Sequence, residues 1–137
     1  MDEQRAMAGA PTKSEIRAER IRMLEAERFE RAMVYIRENF RTVELGDVAA
    51  HVGLSLFHFH RKFTAWAGKT VKVIRTEFQM EHARSLLLAR VPLTEVALLS
   101  GFADQTHLAT RFHAWHGRPP TRWLRETHRK GPITDNR

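Results

Sequence analysis

Apolar residues recur along this chain at the spacing of one helix face. They fall repeatedly at positions i, i+3, i+4 and i+7, whereas β-branched residues are scattered and no sustained alternation of apolar and polar residues occurs. Strands are therefore poorly supported, and the pattern predicts an all-α fold.

The predicted elements divide the chain into three parts. Residues 1–12 offer no apolar face and are predicted to be disordered, and a charged helix capped by Ser14 is predicted to complete the first part, residues 1–27. Residues 28–127 are the predicted main domain, and residues 128–137 are predicted to be a flexible tail.

The first helix of the domain has an apolar face made of Phe29, Met33, Ile36 and Phe40. The helices predicted after it are Leu45–His51, Leu56–Ala67 with Ser55 as its cap, a long helix from its cap Thr70 to about Arg90, Leu93–Ser100, and a helix from its cap Asp104 to about His116, before a final turn that starts at Pro119-Pro120 and carries Trp123.

One pattern of residues occurs twice. Its first copy consists of Val48-Ala49, Gly53-Leu54, His58-Phe59 and Phe63-x-x-Trp66-x-Gly68, and its second of Val96-Ala97, Gly101-Phe102, His107-Leu108 and Phe112-x-x-Trp115-x-Gly117. In each copy a small residue precedes a glycine by four positions, which is typical of two short helices that cross closely at a turn of positive φ. The repeat predicts two homeodomain-like helix-turn-helix units joined by a long spacer helix.

Charge is distributed unevenly within a net charge of +7. Neither residues 48–76 nor residues 105–125 contain an Asp or a Glu, and each stretch includes the second helix of one repeat. Their basic residues are Arg61, Lys62, Lys69, Lys72, Arg75, Arg111, Arg118, Arg122 and Arg125. We therefore expect a surface along which a polyanion such as duplex DNA lies.

Further residues carry a family resemblance. In the first repeat they are Asp47-Val48-Ala49, Val52-Gly53-Leu54-Ser55 and Arg61-Lys62-Phe63, and in the second Glu95-Val96-Ala97, Ser100-Gly101-Phe102-Ala103-Asp104-Gln105, Phe112 and Gly117-Arg118-Pro119-Pro120. Over residues 28–125 the chain resembles the AraC/XylS family of bacterial transcription regulators. The resemblance implies a regulator similar to the stand-alone members, which bind asymmetric sites as monomers, recruit RNA polymerase and usually activate. It also implies base-contacting side chains at Phe57, His60 and Arg61.

Helix geometry separates an inward from an outward face on each predicted recognition helix. The inward sets are Phe59, Phe63 and Trp66 in the first helix and Leu108, Phe112 and Trp115 in the second. The residues predicted to contact bases are Phe57, His60, Arg61, Thr64, Gln105, Thr106 and Thr110. Arg61 is the strongest candidate because arginine donates two hydrogen bonds to guanine, and Phe57 suits a thymine methyl group. The residues predicted to contact phosphates are Ser55, Lys62, Lys69, Arg111 and Arg118.

Two departures from the family pattern affect these expectations. Thr110 stands where the family commonly has arginine, which predicts that the first unit supplies most of the sequence specificity and the second mainly positions the protein. Gln79 stands where the family favours arginine in the spacer. This change is expected to remove a structural polar contact and so to alter the orientation of the two units.

Other functions receive little support. The absence of cysteine excludes a disulfide framework and thiol catalysis, and no apolar run is long enough for a membrane span or a secretory signal, so a cytoplasmic protein is expected. The eight histidines lack the accompanying carboxylates or cysteines of a metal site, and no catalytic triad or phosphate loop occurs, so neither metal, cofactor nor enzyme activity is predicted. The alternative is a protein-interaction adapter that binds DNA weakly and without sequence preference. A monomer is expected, with a dimer through the N-terminal helix as the other arrangement.

Overall fold

The computed structural model describes residues 9–130. The predicted disorder of residues 1–8 and most of the predicted tail lie outside them. Within this part of the chain the structure has seven helices and no strand, and the predicted all-α class is confirmed. The helices are α1 Lys13–Glu38, α2 Leu45–His51, α3 Leu56–Ala67, α4 Val71–Leu88, α5 Leu93–Leu99, α6 Gln105–His116 and α7 Pro120–Lys130.

The N-terminal helix is longer and starts earlier than the sequence predicts. Two separate helices were expected on either side of residue 27, but α1 is continuous over 26 residues, because no glycine or proline interrupts it. Its cap is Thr12 rather than Ser14. The Thr12 hydroxyl accepts a hydrogen bond from the Glu15 amide at 3.0 Å, and the Glu15 carboxylate accepts one from the Thr12 amide at 2.7 Å.

Two hydrophobic clusters form the core, one in each repeat. The first packs the C-terminal half of α1 against α2 and α3, with Phe29 in edge contact with the rings of Phe59 and Phe63. The second lies among α5, α6 and α7. The long helix α4 contributes to both, because Val71 and Ile74 belong to the first cluster and Met80, Ala83 and Leu87 to the second. The predicted spacer is therefore a shared wall of the two units.

A buried polar contact also joins the units. Gln79 is only 4% exposed, and its side-chain amide donates to the carbonyl oxygens of Ser100 and Gly101, both at 3.1 Å. The loop after α1 packs at the same place, since Arg75 of α4 donates to the carbonyls of Phe40 and Arg41. The expectation that Gln79 loses a structural contact is wrong, because its amide reaches the turn of the second unit.

Three other expectations need correction. Trp66 and Trp115, predicted to face inward, are 41% and 43% exposed, because each lies in the last turn of its helix, at the edge of a cluster. Phe40 is half-buried, with its ring against His82. The predicted final turn is an 11-residue helix, since Trp123 and Leu124 pack on the second cluster and extend it.

Candidate nucleic-acid interface

The second helices of the two repeats, α3 and α6, have the same length and the same kinds of ends. Each contains 12 residues and is followed by a glycine in the left-handed conformation. The Ser55 hydroxyl caps α3 by accepting from the His58 amide at 3.3 Å, and the Asp104 carboxylate caps α6 by accepting from the His107 amide at 2.8 Å. The predicted caps and bounds of both helices are confirmed.

The outward face of α3 is apolar and basic at its N-terminal end. Phe57 is 77% exposed, and His60 and Arg61 are exposed beside it, while Phe59 and Phe63 are fully buried on the opposite face. An exposed phenylalanine next to an arginine on a rigid helix suits the floor of the major groove, where thymine methyl groups and guanine acceptors lie side by side. Leu56, which is 54% exposed, extends this apolar surface, and its part in the surface was not predicted from the sequence.

Thr64 departs from the predicted outward set. Its residue is half-buried, and its hydroxyl oxygen is fully buried with no hydrogen-bond partner among the described residues. A hydroxyl in that position has no access to a base edge. The predicted outward placement of Thr64 is therefore wrong.

The outward face of α6 is polar and mostly uncharged. Gln105, Thr106 and Thr110 are exposed, whereas Leu108 and Phe112 are fully buried. The Gln105 side-chain oxygen accepts a hydrogen bond from the Thr94 hydroxyl of α5 at 3.2 Å, which orients the amide at the start of the helix. This face has fewer cationic groups for guanine than α3 has.

Three of the predicted phosphate contacts are held by carboxylates of the same chain. Ion pairs join Lys62 to Glu25 at 3.7 Å, Lys69 to Glu77 at 2.8 Å, and Arg118 to Glu126 at 2.6 Å. All three acids lie outside the acid-free stretches and reach these cations only in the folded chain. Over residues 9–130, Arg111 takes part in no ion pair, and the Ser55 hydroxyl is already used in capping α3.

Burial of two histidines and a hydrogen bond to one carboxylate, each aided by nearby positive charges, lower pKa values in the second unit and at the joint. A hydrogen bond from Arg122 is the main cause that lowers the pKa of Glu126, which keeps this carboxylate ionised beside Arg118. Burial, followed by the charges of Arg84 and Arg118, lowers the pKa of His116. Burial, followed by the charge of Arg41, also lowers the pKa of His82.

No cluster of three or more potential metal ligands occurs within the described residues. None of the helices there combines the length and apolar character needed to cross a membrane.

A family model described as a helix-turn-helix domain, which is of the AraC type, matches residues 48–126, more than half of the chain. The chain belongs to the AraC-type helix-turn-helix family. That family consists of DNA-binding regulatory domains and is not a class of enzymes.

Two curated relatives are similar over the AraC-type domain. The transcriptional activator NphR of a Rhodococcus species is 31% identical over 90 residues, which are 65% of this chain and 27% of that protein. An uncharacterised helix-turn-helix transcriptional regulator encoded in the 5′ region of cgkA in Pseudoalteromonas carrageenovora is 33% identical over 82 residues, 59% of this chain and 49% of that protein. The match thus spans about a quarter of the first relative and half of the second.

Two solved structures have the same fold as this chain. The C-terminal domain of AraT, a response regulator from Geobacillus stearothermophilus, superposes with a TM-score of 0.69 at 27% identity, covering 73% of this chain and 85% of that one. An AraC-type transcriptional regulator from Chromobacterium violaceum gives a TM-score of 0.66 at 21% identity, covering 74% of this chain and 92% of that one.

Proposed function

We propose that this AraC-type chain is a sequence-specific transcription regulator that inserts α3 and α6 into successive major grooves of duplex DNA. The observation that carries the proposal is the pair of equally long, equally capped helices whose outward residues are exposed while their inward residues fill the two core clusters. Because α4 belongs to both clusters, the two helices are presented by one body. A separation near one turn of B-DNA, roughly 34 Å, suits this arrangement.

The two helices have unequal roles in this proposal. Phe57, His60 and Arg61 of α3 contact bases and supply most of the specificity, and Gln105, Thr106 and Thr110 of α6 add weaker readout. Arg111 binds phosphate, and Lys62, Lys69 and Arg118 do so by sharing or exchanging their carboxylate partners. Ser55, at the start of α3, adds a further phosphate contact.

Activation is favoured over repression, because NphR is named as a transcriptional activator. In this proposal the protein acts in the cytoplasm as a monomer and recruits RNA polymerase. A mass measurement in solution tests the monomer.

Selection of sites from a random duplex library tests the function. The wild-type chain should enrich a bipartite, asymmetric site about two helical turns long, and should still prefer it over scrambled DNA at the higher of two salt concentrations. Arg61→Ala should relax the preference at one base pair of the first half-site and cost about 1–3 kcal/mol there, measured by titration of single-base variants.

Two results would contradict parts of this picture. If Arg61→Ala left the selected sequence unchanged while Gln105→Ala altered it, the division of roles between α3 and α6 would be reversed. If the chain enriched no DNA sequence and its DNA binding vanished as salt rose, attraction to phosphates alone would account for the binding.

The second result would favour a protein-interaction adapter. The observation in its favour is the N-terminal half of α1, where the apolar residues Ile16, Ile21, Met23 and Leu24 are between 47% and 59% exposed. Such a surface fits a protein partner or a second copy of the chain.

A further inference from the structure

Lys72 lines two clefts, one shared with each of the two recognition helices. It lines one cleft, of about 350 Å³, together with His60 of α3. It also lines a second cleft, of about 230 Å³, together with Arg111 and Trp115 of α6. Because Lys72 is in the first turn of α4, the helix that belongs to both core clusters, its position relative to α3 and α6 is held by the core.

Within residues 9–130 the ammonium group of this lysine has no carboxylate partner, although Glu44 also lines the cleft shared with α3. Lys72 is exposed. Its neighbours differ, since Lys69 is paired with Glu77 and Arg75 donates to two backbone carbonyls. The cleft shared with α6 has cations on two walls, Lys72 and Arg111, and no carboxylate among its lining residues.

Duplex geometry supplies an anion at this place. When two helices occupy successive major grooves on one face of DNA, the intervening minor groove and its bordering phosphates face the protein between them. We propose that Lys72 binds a backbone phosphate at this minor groove, in the cleft that it lines together with Arg111. This inference rests on the function proposed above and adds to it a positioning contact that is independent of base sequence.

A phosphate contact has a measurable signature. Lys72→Gln should weaken binding by a similar factor on every half-site sequence, roughly two- to five-fold as for an exposed ion pair. It should also reduce the slope of log affinity against log salt by about 0.9. Lys13→Gln is the matched control, because it removes the same charge from an exposed lysine at the first residue of α1.

The location of the contact is tested by neutralising phosphates one at a time. Duplexes carrying the site selected by the wild-type chain receive a single methylphosphonate linkage at each position between the half-sites. At one position the substitution should weaken the wild-type chain and Lys13→Gln by roughly two- to five-fold and leave Lys72→Gln unchanged. Loss of sensitivity in this one variant would support the assignment.

The failure of this inference differs from the failure of the proposed function. If Lys72→Gln had the wild-type salt slope, and remained as sensitive to every methylphosphonate as the wild-type chain, Lys72 would have no phosphate partner and the inference would be overturned while site selection stood. If the wild-type chain selected no site, the proposed function and this inference would both be overturned.

Discussion

Gly53 and Gly101 occupy the same place in the two repeats but have different surroundings. Both have positive φ, 74° and 86°. A Cβ atom at Gly53 would meet nothing within 4 Å, whereas one at Gly101 would lie 2.9 Å from the Arg41 Cα and 3.1 Å from the Gln79 side-chain nitrogen. The second glycine therefore has an additional role at the joint between the units.

This difference predicts unequal costs for the same substitution. Gly53→Ala should lower the free energy of unfolding by about 1 kcal/mol, the cost of a left-handed backbone for alanine. Gly101→Ala should cost that amount and at least about 1–3 kcal/mol more, because backbone atoms of the Arg41 loop must move to admit the methyl group. Urea unfolding of the two variants measures the difference. Equal losses would mean that the Arg41 loop yields freely and does not hold the units together.

At the scale of helices, the accuracy of sequence prediction depended on how local the determining contacts are. The bounds of α3 and α6 were predicted correctly because Ser55 and Asp104 cap amides only three residues away. The length of α7 was not predicted correctly, since it depends on the packing of Trp123 against Phe112, a contact between two helices.

In the candidate interface, too, the features set by local sequence could be predicted and those set by packing between helices could not. Outward Phe57, His60 and Arg61 could be placed from helical spacing alone. The burial of the Thr64 hydroxyl and the pairing of Lys62 with Glu25 depend on how the helices pack, and neither has a signal in the local sequence. Charge counted along the chain therefore overstated the number of unpaired cations at the interface.

The pairing of Lys69 with Glu77, across the start of α4, predicts a restraint on non-specific DNA binding. Glu77→Gln should free the Lys69 ammonium for a phosphate, and so raise affinity for scrambled duplex roughly two- to five-fold and steepen its salt dependence. Glu81→Gln is the control, because it makes the same charge change at an exposed position of α4 that forms no ion pair within the described residues. Fluorescence anisotropy at several salt concentrations measures both variants.

The comparison of the two variants separates a local from a general effect of charge. A larger gain for Glu77→Gln would show that the ion pair restrains Lys69. Equal gains would show that only net charge matters, and that Lys69 is equally available to DNA with or without its partner.

At the scale of the whole molecule, two partly buried histidines lie where helices join. His82 of α4 packs against Phe40, and burial together with the charge of Arg41 lowers its pKa from an ordinary value of 6.5. His116, at the end of α6, packs against Phe112 and Trp123, and its ring nitrogen lies 3.3 Å from a guanidinium nitrogen of Arg84. Both sites favour the neutral imidazole.

These lowered pKa values predict a protein that loses stability in mild acid. Below pH 6.5 the unfolded chain binds protons at both histidines more readily than the folded chain does. The free energy of unfolding should therefore be greatest above pH 6.5 and should fall as the pH drops through that value and through the lowered folded values. Urea unfolding at a series of pH values from 7.5 to 5 measures the decline.

The histidine origin of the decline can be isolated with two variants. A chain with both His82→Gln and His116→Gln should show a flatter dependence on pH, even if its stability at pH 7.5 is lower, because it lacks the two groups that take up protons on unfolding. His113→Gln, at an exposed position of α6, should retain the wild-type decline. If the double variant declined as steeply as the wild-type chain between pH 6.5 and 5, proton uptake by His82 and His116 would not be the cause of the decline. Glu126 cannot supply a loss in this range, because its lowered pKa stabilises the folded chain above its ordinary value of 4.5, and that contribution disappears only as the pH falls through the lower folded value.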